Sequence, residues 1–100
     1  VAVIFSSVLA EHAPGYAEMG DRMEELARQQ PGFLGVESVR GANRQGITVS
    51  YWKTSEDAAR WKQVGEHLAA QAMGREEWYV DWKVRVWGWR RSGEGGKSEG

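Results

Sequence analysis

Residues Gln30–Thr54 read QPGFLGVESVRGANRQGITVSYWKT. Two runs rich in β-branched and aromatic residues, Phe33–Arg40 and Ile47–Lys53, flank the polar segment Gly41–Gly46. That pattern predicts two strands joined by a glycine-bracketed turn, a β-hairpin. In the first strand Phe33, Gly35, Glu37 and Val39 alternate with Leu34, Val36, Ser38 and Arg40. In the second, Ile47, Val49 and Tyr51 share a face. Pro31-Gly32 is a helix stop just upstream. Thr54, with Asp57 three residues on, is a helix start just downstream. The hairpin therefore sits between two helices.

Outward from it, Tyr16–Gln30 has apolar residues at Tyr16, Met19, Met23, Leu26 and Ala27, the spacing of an amphipathic helix. His12-Ala13-Pro14-Gly15 breaks the chain before it, and Val1–Leu9 (VAVIFSSVL) reads as a strand apolar on both faces. Downstream, Ala58, Trp61, Val64, Gly65, Leu68 and Ala72 form the stripe of a second helix over Thr54–Met73, with Gly74 as its stop. In Tyr79–Arg90, Val80, Trp82, Val84 and Val86 alternate with Asp81, Lys83, Arg85 and Trp87, a long fourth strand. The order β-α-β-β-α-β is that of an α+β, ferredoxin-like domain, an antiparallel sheet with both helices on one face. Residues 1–91 form that domain. Ser92–Gly100 (SGEGGKSEG) has no apolar residue to bury and is expected to be a disordered tail.

Two helices cover one face of a sheet. The first three strands carry apolar residues on both, so the other face is a predicted association surface. A second copy packed sheet to sheet, a homodimer, covers it most simply. Six tryptophans in a chain of 100 residues fit that reading, and Trp82, Trp87 and Trp89 are assigned to the interface.

Composition narrows function further. Length and 41% hydrophobic residues fit one folded core, not two domains or a disordered chain. Thirteen basic against fourteen acidic residues leave no electrostatic footprint for nucleic acid. The absence of cysteine removes disulfides and thiolate metal sites, and two histidines 55 positions apart offer no metal-ligand spacing. The longest apolar run, Val1–Phe5, is too short for a membrane span and lacks the features of a signal peptide, so a cytoplasmic location is expected. No phosphate loop or serine elbow is present.

Four side chains remain as candidates. His67 lies about 120° from Trp61 around the second helix, at the edge of the buried stripe. It is either a proton shuttle at a pocket rim or a solvated boundary residue. Trp61, inside the stripe, is either a wall against a flat aromatic ligand or core packing. Tyr51 and Tyr79 belong, with Trp52, Trp78 and Trp82, to an aromatic group that suits either an apolar cavity with polar handles or a dimer interface.

Gly15-Tyr16, Met19, Arg22–Ala27 and Gln30–Ser38, followed by Gly46–Trp52, Ser55-Glu56 and Trp61, resemble the antibiotic biosynthesis monooxygenase (ABM) domain family. Gly74-Arg75, Trp78-Tyr79 and Arg85-Val86 extend the resemblance, which spans about residues 2 to 90. It implies a dimeric α+β barrel with a pocket between helices and sheet in each protomer. It also implies oxidation of an aromatic or polyketide-like small molecule by O2 without cofactor, or a non-catalytic binding module. Haem-degrading relatives carry a strand-one asparagine, a helix-two tryptophan and a ligand histidine further along that helix. Trp61 matches the tryptophan. Ser6 and Ser7 stand near the asparagine's place, and Gln71 near the histidine's, with His67 one turn early. The residue reading makes His67 the expected catalytic residue and Trp61, Tyr51 and Tyr79 the expected substrate contacts, with no metal; the resemblance supports Trp61 and implies that haem is disfavoured.

Overall fold

The structure is a computed structural model that describes residues 1–74 and 78–88, and the backbone of Trp89 and of Gly96–Ser98. The elements run β1 (Ala2–Leu9), α1 (Tyr16–Arg28), β2 (Phe33–Arg40), β3 (Gln45–Trp52), α2 (Ser55–Gly74), β4 (Tyr79–Trp89) and a short β5 (Gly96–Ser98). The sheet order is β2-β3-β1-β4-β5, with every pairing antiparallel. The ferredoxin-like reading therefore holds. Of the expected tail, residues 92–95 and 99–100 lie outside the described residues, while Gly96–Ser98 pairs with Trp87–Trp89. No helix among the described residues is long and apolar enough to cross a membrane.

Local chemistry explains the boundaries. Thr54 caps α2: its Oγ1 accepts from the Asp57 amide at 3.1 Å and donates to Asp57 Oδ2 at 2.8 Å. Gly15 (φ 84°) opens α1 from a left-handed conformation that side chains other than glycine seldom adopt. Gly32 (φ 82°) makes the turn from α1 into β2, and its carbonyl accepts from Lys53 at 2.8 Å.

Strand register sorts the side chains into two faces. Val3, Phe5 and Ser7 of β1 oppose Ser50, Thr48 and Gly46 of β3, and Val86, Val84 and Trp82 of β4. These residues face the helices. Two irregularities interrupt the simple alternation. The register shifts between Phe33 and Gly35, leaving Leu34 as an extra, exposed residue. Phe33 thereby shares the helix side with Val36, Ser38 and Arg40, and not with Gly35, Glu37 and Val39 as the alternation predicts. Its ring meets Trp52 edge-on at 5.6 Å. A second shift, between Val8 and Leu9, pairs Leu9 with Tyr79 and leaves Val80 exposed. Val80 therefore parts from Trp82, Val84 and Val86. Trp82 also faces the helices, stacked on Phe5 at 6.4 Å, which removes it from the open face. Trp87 pairs with Ala2 on the open side, and the Trp89 side chain lies outside the described residues.

The core is concentrated at one end of the sheet, where Val3, Ala27, Trp52, Ala58 and Trp61 are buried together. Trp52 is 1% exposed, and its indole N–H donates to Ser50 Oγ at 2.8 Å. On the other face Ile47, Val39 and Tyr51 are exposed.

A Cβ at Gly32 would run into the Asp57 carboxylate, besides holding a non-glycine residue at positive φ. Gly32→Ala is expected to cost about 1–3 kcal/mol, read from the midpoint of urea unfolding. Gly20→Ala, at a helix position with open space around it, is expected to leave stability equal or raise it by up to about 1 kcal/mol.

Candidate functional site

Away from the tryptophan-packed end, several of the residues that face one another across the helix–sheet gap are small. Ser38, Thr48 and Ser50 come from the sheet, Gly20 from α1, and Gly65 and Ala69 from α2. Together they leave a cavity of about 450 Å³. Trp61 and Ala27 close it at the core end, and Met19, Met23 and Leu68 roof it. Its lining is mostly apolar, as pockets for small organic molecules are. A second hollow of about 400 Å³ lies beside the β2–β3 turn, along Asn43, Gln45 and Ile47, and has no helical wall.

At the far end of the larger cavity, four polar side chains converge. Arg40, the last residue of β2, donates through Nη2 to Ser7 Oγ at 2.8 Å and to Tyr16 Oη at 3.1 Å. Its Nη1 donates to the Arg44 carbonyl at 2.6 Å and the Ser7 carbonyl at 3.4 Å. The guanidinium stands 5.3 Å from the centre of the Tyr16 ring, within cation–π range. Tyr79 Oη donates to Tyr16 Oη at 3.3 Å, and the two rings meet edge-on at 5.6 Å. The Trp78 indole braces this end by donating to the Pro14 carbonyl at 2.8 Å, with its ring edge-on to Tyr16. Arg40 is half-buried and, among the described residues, forms no ion pair.

Burial pushes the Tyr79 phenol well above the usual tyrosine range; its hydrogen bond to Tyr16 adds to the rise, and the nearby Arg40 charge opposes it. Tyr79 is therefore a neutral donor at any ordinary pH.

The expected site residues divide two and two. Trp61 and Tyr79 line the cavity. Tyr51 does not: the β3 alternation puts it on the uncovered face, where its hydroxyl donates to Glu37 Oε1 at 2.8 Å. That hydrogen bond raises its pKa. His67 does not line the cavity either. It is exposed on α2, with Nε2 3.3 Å from Gln71 Nε2. The physical reason is the drift of the stripe. Trp61, Gly65, Leu68, Ala69 and Ala72 all face the cavity, and at 100° per residue their mean direction is about 140° from His67. The position read as a boundary lies nearer the outer face.

Ser7, Tyr16 and Arg40 form the polar end and were not among the expected site residues. A signal was present: Arg40 shares a strand face with Val36 and Ser38, and a cation among helix-facing residues needs a reason.

No cluster of three or more histidine, cysteine, aspartate or glutamate side chains is placed to hold a metal among the described residues. Neither histidine, His12 nor His67, borders the cavity.

The model of the family described as antibiotic biosynthesis monooxygenase matches residues 1–73. The chain belongs to this family. It is 54% identical over 85 residues to the uncharacterised protein YqjZ of Bacillus subtilis (strain 168), covering 85% of this chain and 75% of that protein. Among solved structures it resembles SnoaB, described as a cofactor-independent oxygenase from Streptomyces nogalater. There the TM-score is 0.63 at 13% identity, over 85% of this chain and 89% of that one. It also resembles protein SO0527 of Shewanella oneidensis, with a TM-score of 0.59 at 15% identity over 83% and 84% of the two chains. At these identities the two structures bear on the fold alone.

Trp61 is 9% exposed and its ring lies 5.6 Å from that of Trp52. Trp61→Ala is expected to cost about 3–5 kcal/mol in denaturant unfolding, because the cavity already beside it leaves little to fill the gap. The Tyr79 pKa, raised on folding, gives a second prediction. A raised acid pKa contributes stability below the unfolded value of 10.0, and that contribution is lost as pH climbs beyond it. Stability measured from pH 8 to 11.5 is expected to fall less steeply at the alkaline end in Tyr79→Phe than in the parent chain.

Proposed function

We propose that this ABM-family chain oxidises a small aromatic or polyketide-like molecule bearing a phenolic or enolic hydroxyl, using O2 and no bound cofactor. The observation that carries the reading is the pairing of a 450 Å³ apolar cavity with the polar cluster of Ser7, Tyr16, Arg40 and Tyr79 at one end. The cavity holds the carbon skeleton and keeps bulk water from it. The polar end stabilises negative charge on the substrate oxygen once its proton has left through the mouth to solvent. The resulting carbanion gives electrons to O2 and forms a carbon–oxygen bond. Loss of water from the peroxide leaves a new carbonyl, one oxygen atom entering product and the other leaving as water. The substrate supplies all the electrons, so no external reductant is required.

The same reading includes a cytoplasmic homodimer. Ile4, Val8, Val39, Ile47 and Val49 lie on the sheet face that neither helix covers. Sheet-to-sheet packing of two copies would bury more than about 1,200 Å². Native mass spectrometry is expected to give twice the 11.2 kDa chain mass, and a monomer at all concentrations would overturn the assembly.

One observation favours a second reading, a binding module without turnover: no histidine lines the cavity to take the substrate proton. Oxygen-electrode measurements on a panel of anthrones and naphthols separate the two. Uptake is expected with the purified protein alone, and His67→Ala is expected to stay within about twofold of it, since that ring lies outside the cavity. Binding of the panel without oxygen uptake establishes the binding module instead.

A further inference from the structure

The polar end of the cavity has a directional hydrogen-bond pattern. A tyrosine hydroxyl has one proton to give and can accept from others. Tyr16 Oη already accepts twice, from Arg40 Nη2 at 3.1 Å and from Tyr79 Oη at 3.3 Å. Two hydroxyls 3.3 Å apart use one proton between them, so the pair keeps the other for a ligand, and with Tyr79 as donor that proton is Tyr16's. Ser7 Oγ likewise accepts from Arg40, at 2.8 Å. The donors thus run outward from the guanidinium and end at the Tyr16 O–H, beside the cavity.

The charge follows the same direction. Among the described residues Arg40 makes four hydrogen bonds, all to neutral oxygens: two carbonyls, a serine and a tyrosine. The carboxylates bordering the cavity are Asp21 and Glu24 on α1. Glu24 is taken by Arg28 at 2.8 Å, and neither pairs with Arg40. A half-buried cation that keeps neutral partners only is favourable chiefly when a ligand brings the opposite charge.

We propose that the cavity selects monoanionic aromatic ligands, with Arg40 supplying the charge and Tyr16 donating to the ligand's anionic oxygen. Arg40 and Tyr16 are then specificity-determining residues. The inference rests on the cavity named under the proposed function, and it narrows the substrate to aromatic molecules whose hydroxyl is acidic enough to lose its proton to solvent near neutral pH, an aromatic carboxylate being a non-reacting anion of the same charge.

The test is calorimetric titration of the full chain at pH 7.5 with matched probes that cannot turn over: 2-naphthoate and its neutral isostere 2-naphthamide. The naphthoate is expected to bind at least about tenfold more tightly, the range of a charged hydrogen bond. Arg40→Gln is expected to erase the difference and Arg40→Lys to retain most of it. Tyr16→Phe is expected to weaken the naphthoate several-fold and the amide, a neutral acceptor, by less. Arg40 also ties Ser7 to the β2–β3 turn; if Arg40→Gln fails to fold, the parent chain's probe preference and Tyr16→Phe decide the matter. A third probe, 2,4-dinitro-1-naphthol, is ionised at its hydroxyl at this pH; which of the two anions binds more tightly tells acidic hydroxyl from carboxylate. Equal affinity for naphthoate and naphthamide would overturn the proposal, and so would a preference surviving in folded Arg40→Gln. With oxygen uptake still present, either result leaves the proposed reaction standing. Failure of every probe to bind at millimolar concentration overturns the cavity assignment and the reaction with it.

Discussion

Two indoles packed ring against ring hold α2 off the sheet. Trp52 comes from the last position of β3 and Trp61 from the second turn of α2, and their centres are 5.6 Å apart. Side-chain size at a contact sets the separation of the elements that make it. Here two of the largest side chains in the protein fill one end of the gap, while Gly20, Ser38, Thr48, Ser50, Gly65 and Ala69 leave room along the rest, between Phe5 and Val36 of the sheet and the methionines of α1. α2 is continuous over Ser55–Gly74, so it cannot dip to close the space beyond Trp61. The cavity follows from that mismatch. Trp61 thus has a structural role and a lining role at once, and the two sequence-based alternatives for it, wall and core, describe the same ring.

Much of this was legible in the chain. Period-two and period-3.6 patterns, the Pro31-Gly32 stop and the Thr54 cap were enough for element order and for the helix–sheet layering. What escaped was local register. Leu34 and Val80 each add one residue to a strand, and such a bulge reverses the face of everything on its far side. Val80 has no glycine or proline beside it; Leu34 does, in Gly35, and a lone glycine inside a strand pattern is a bulge signal. Their consequences are large: one brings Phe33 to Trp52, and the other brings Tyr79 to Tyr16. His67 lies outside the cavity for a different reason. A stripe centred on one residue, Trp61, misses the drift that Ala69 and Ala72 introduce, and over six residues that drift separates cavity edge from solvent.

The two faces of the sheet do different things with the same residue type. Tyr79 faces the helices, where burial keeps its phenol protonated and makes it a donor to Tyr16. Tyr51 faces the open side, where a carboxylate, Glu37, raises its pKa through a direct hydrogen bond. An aromatic count from sequence merges them. Separating them requires the parity of each strand, and for Tyr79 that parity depends on the bulge beside Leu9.

Arg40 joins the fold to the chemistry. Through Nη1 it holds the carbonyls of Ser7 and Arg44, and so fastens the β2–β3 turn to β1. Arg44 itself sits at positive φ (69°), with its carbonyl also accepting from Leu9 at 3.0 Å. A turn of that kind could be secured by a neutral donor such as glutamine at lower desolvation cost. On the Nη2 side the same charge reaches Ser7 Oγ and Tyr16 Oη, at the end of the cavity. Packing alone accounts for the apolar end of the site. For the polar end, the economical physical account is that the cation and the Tyr16 hydroxyl are held in place before any ligand arrives, so that little reorganisation opposes an anion when it does.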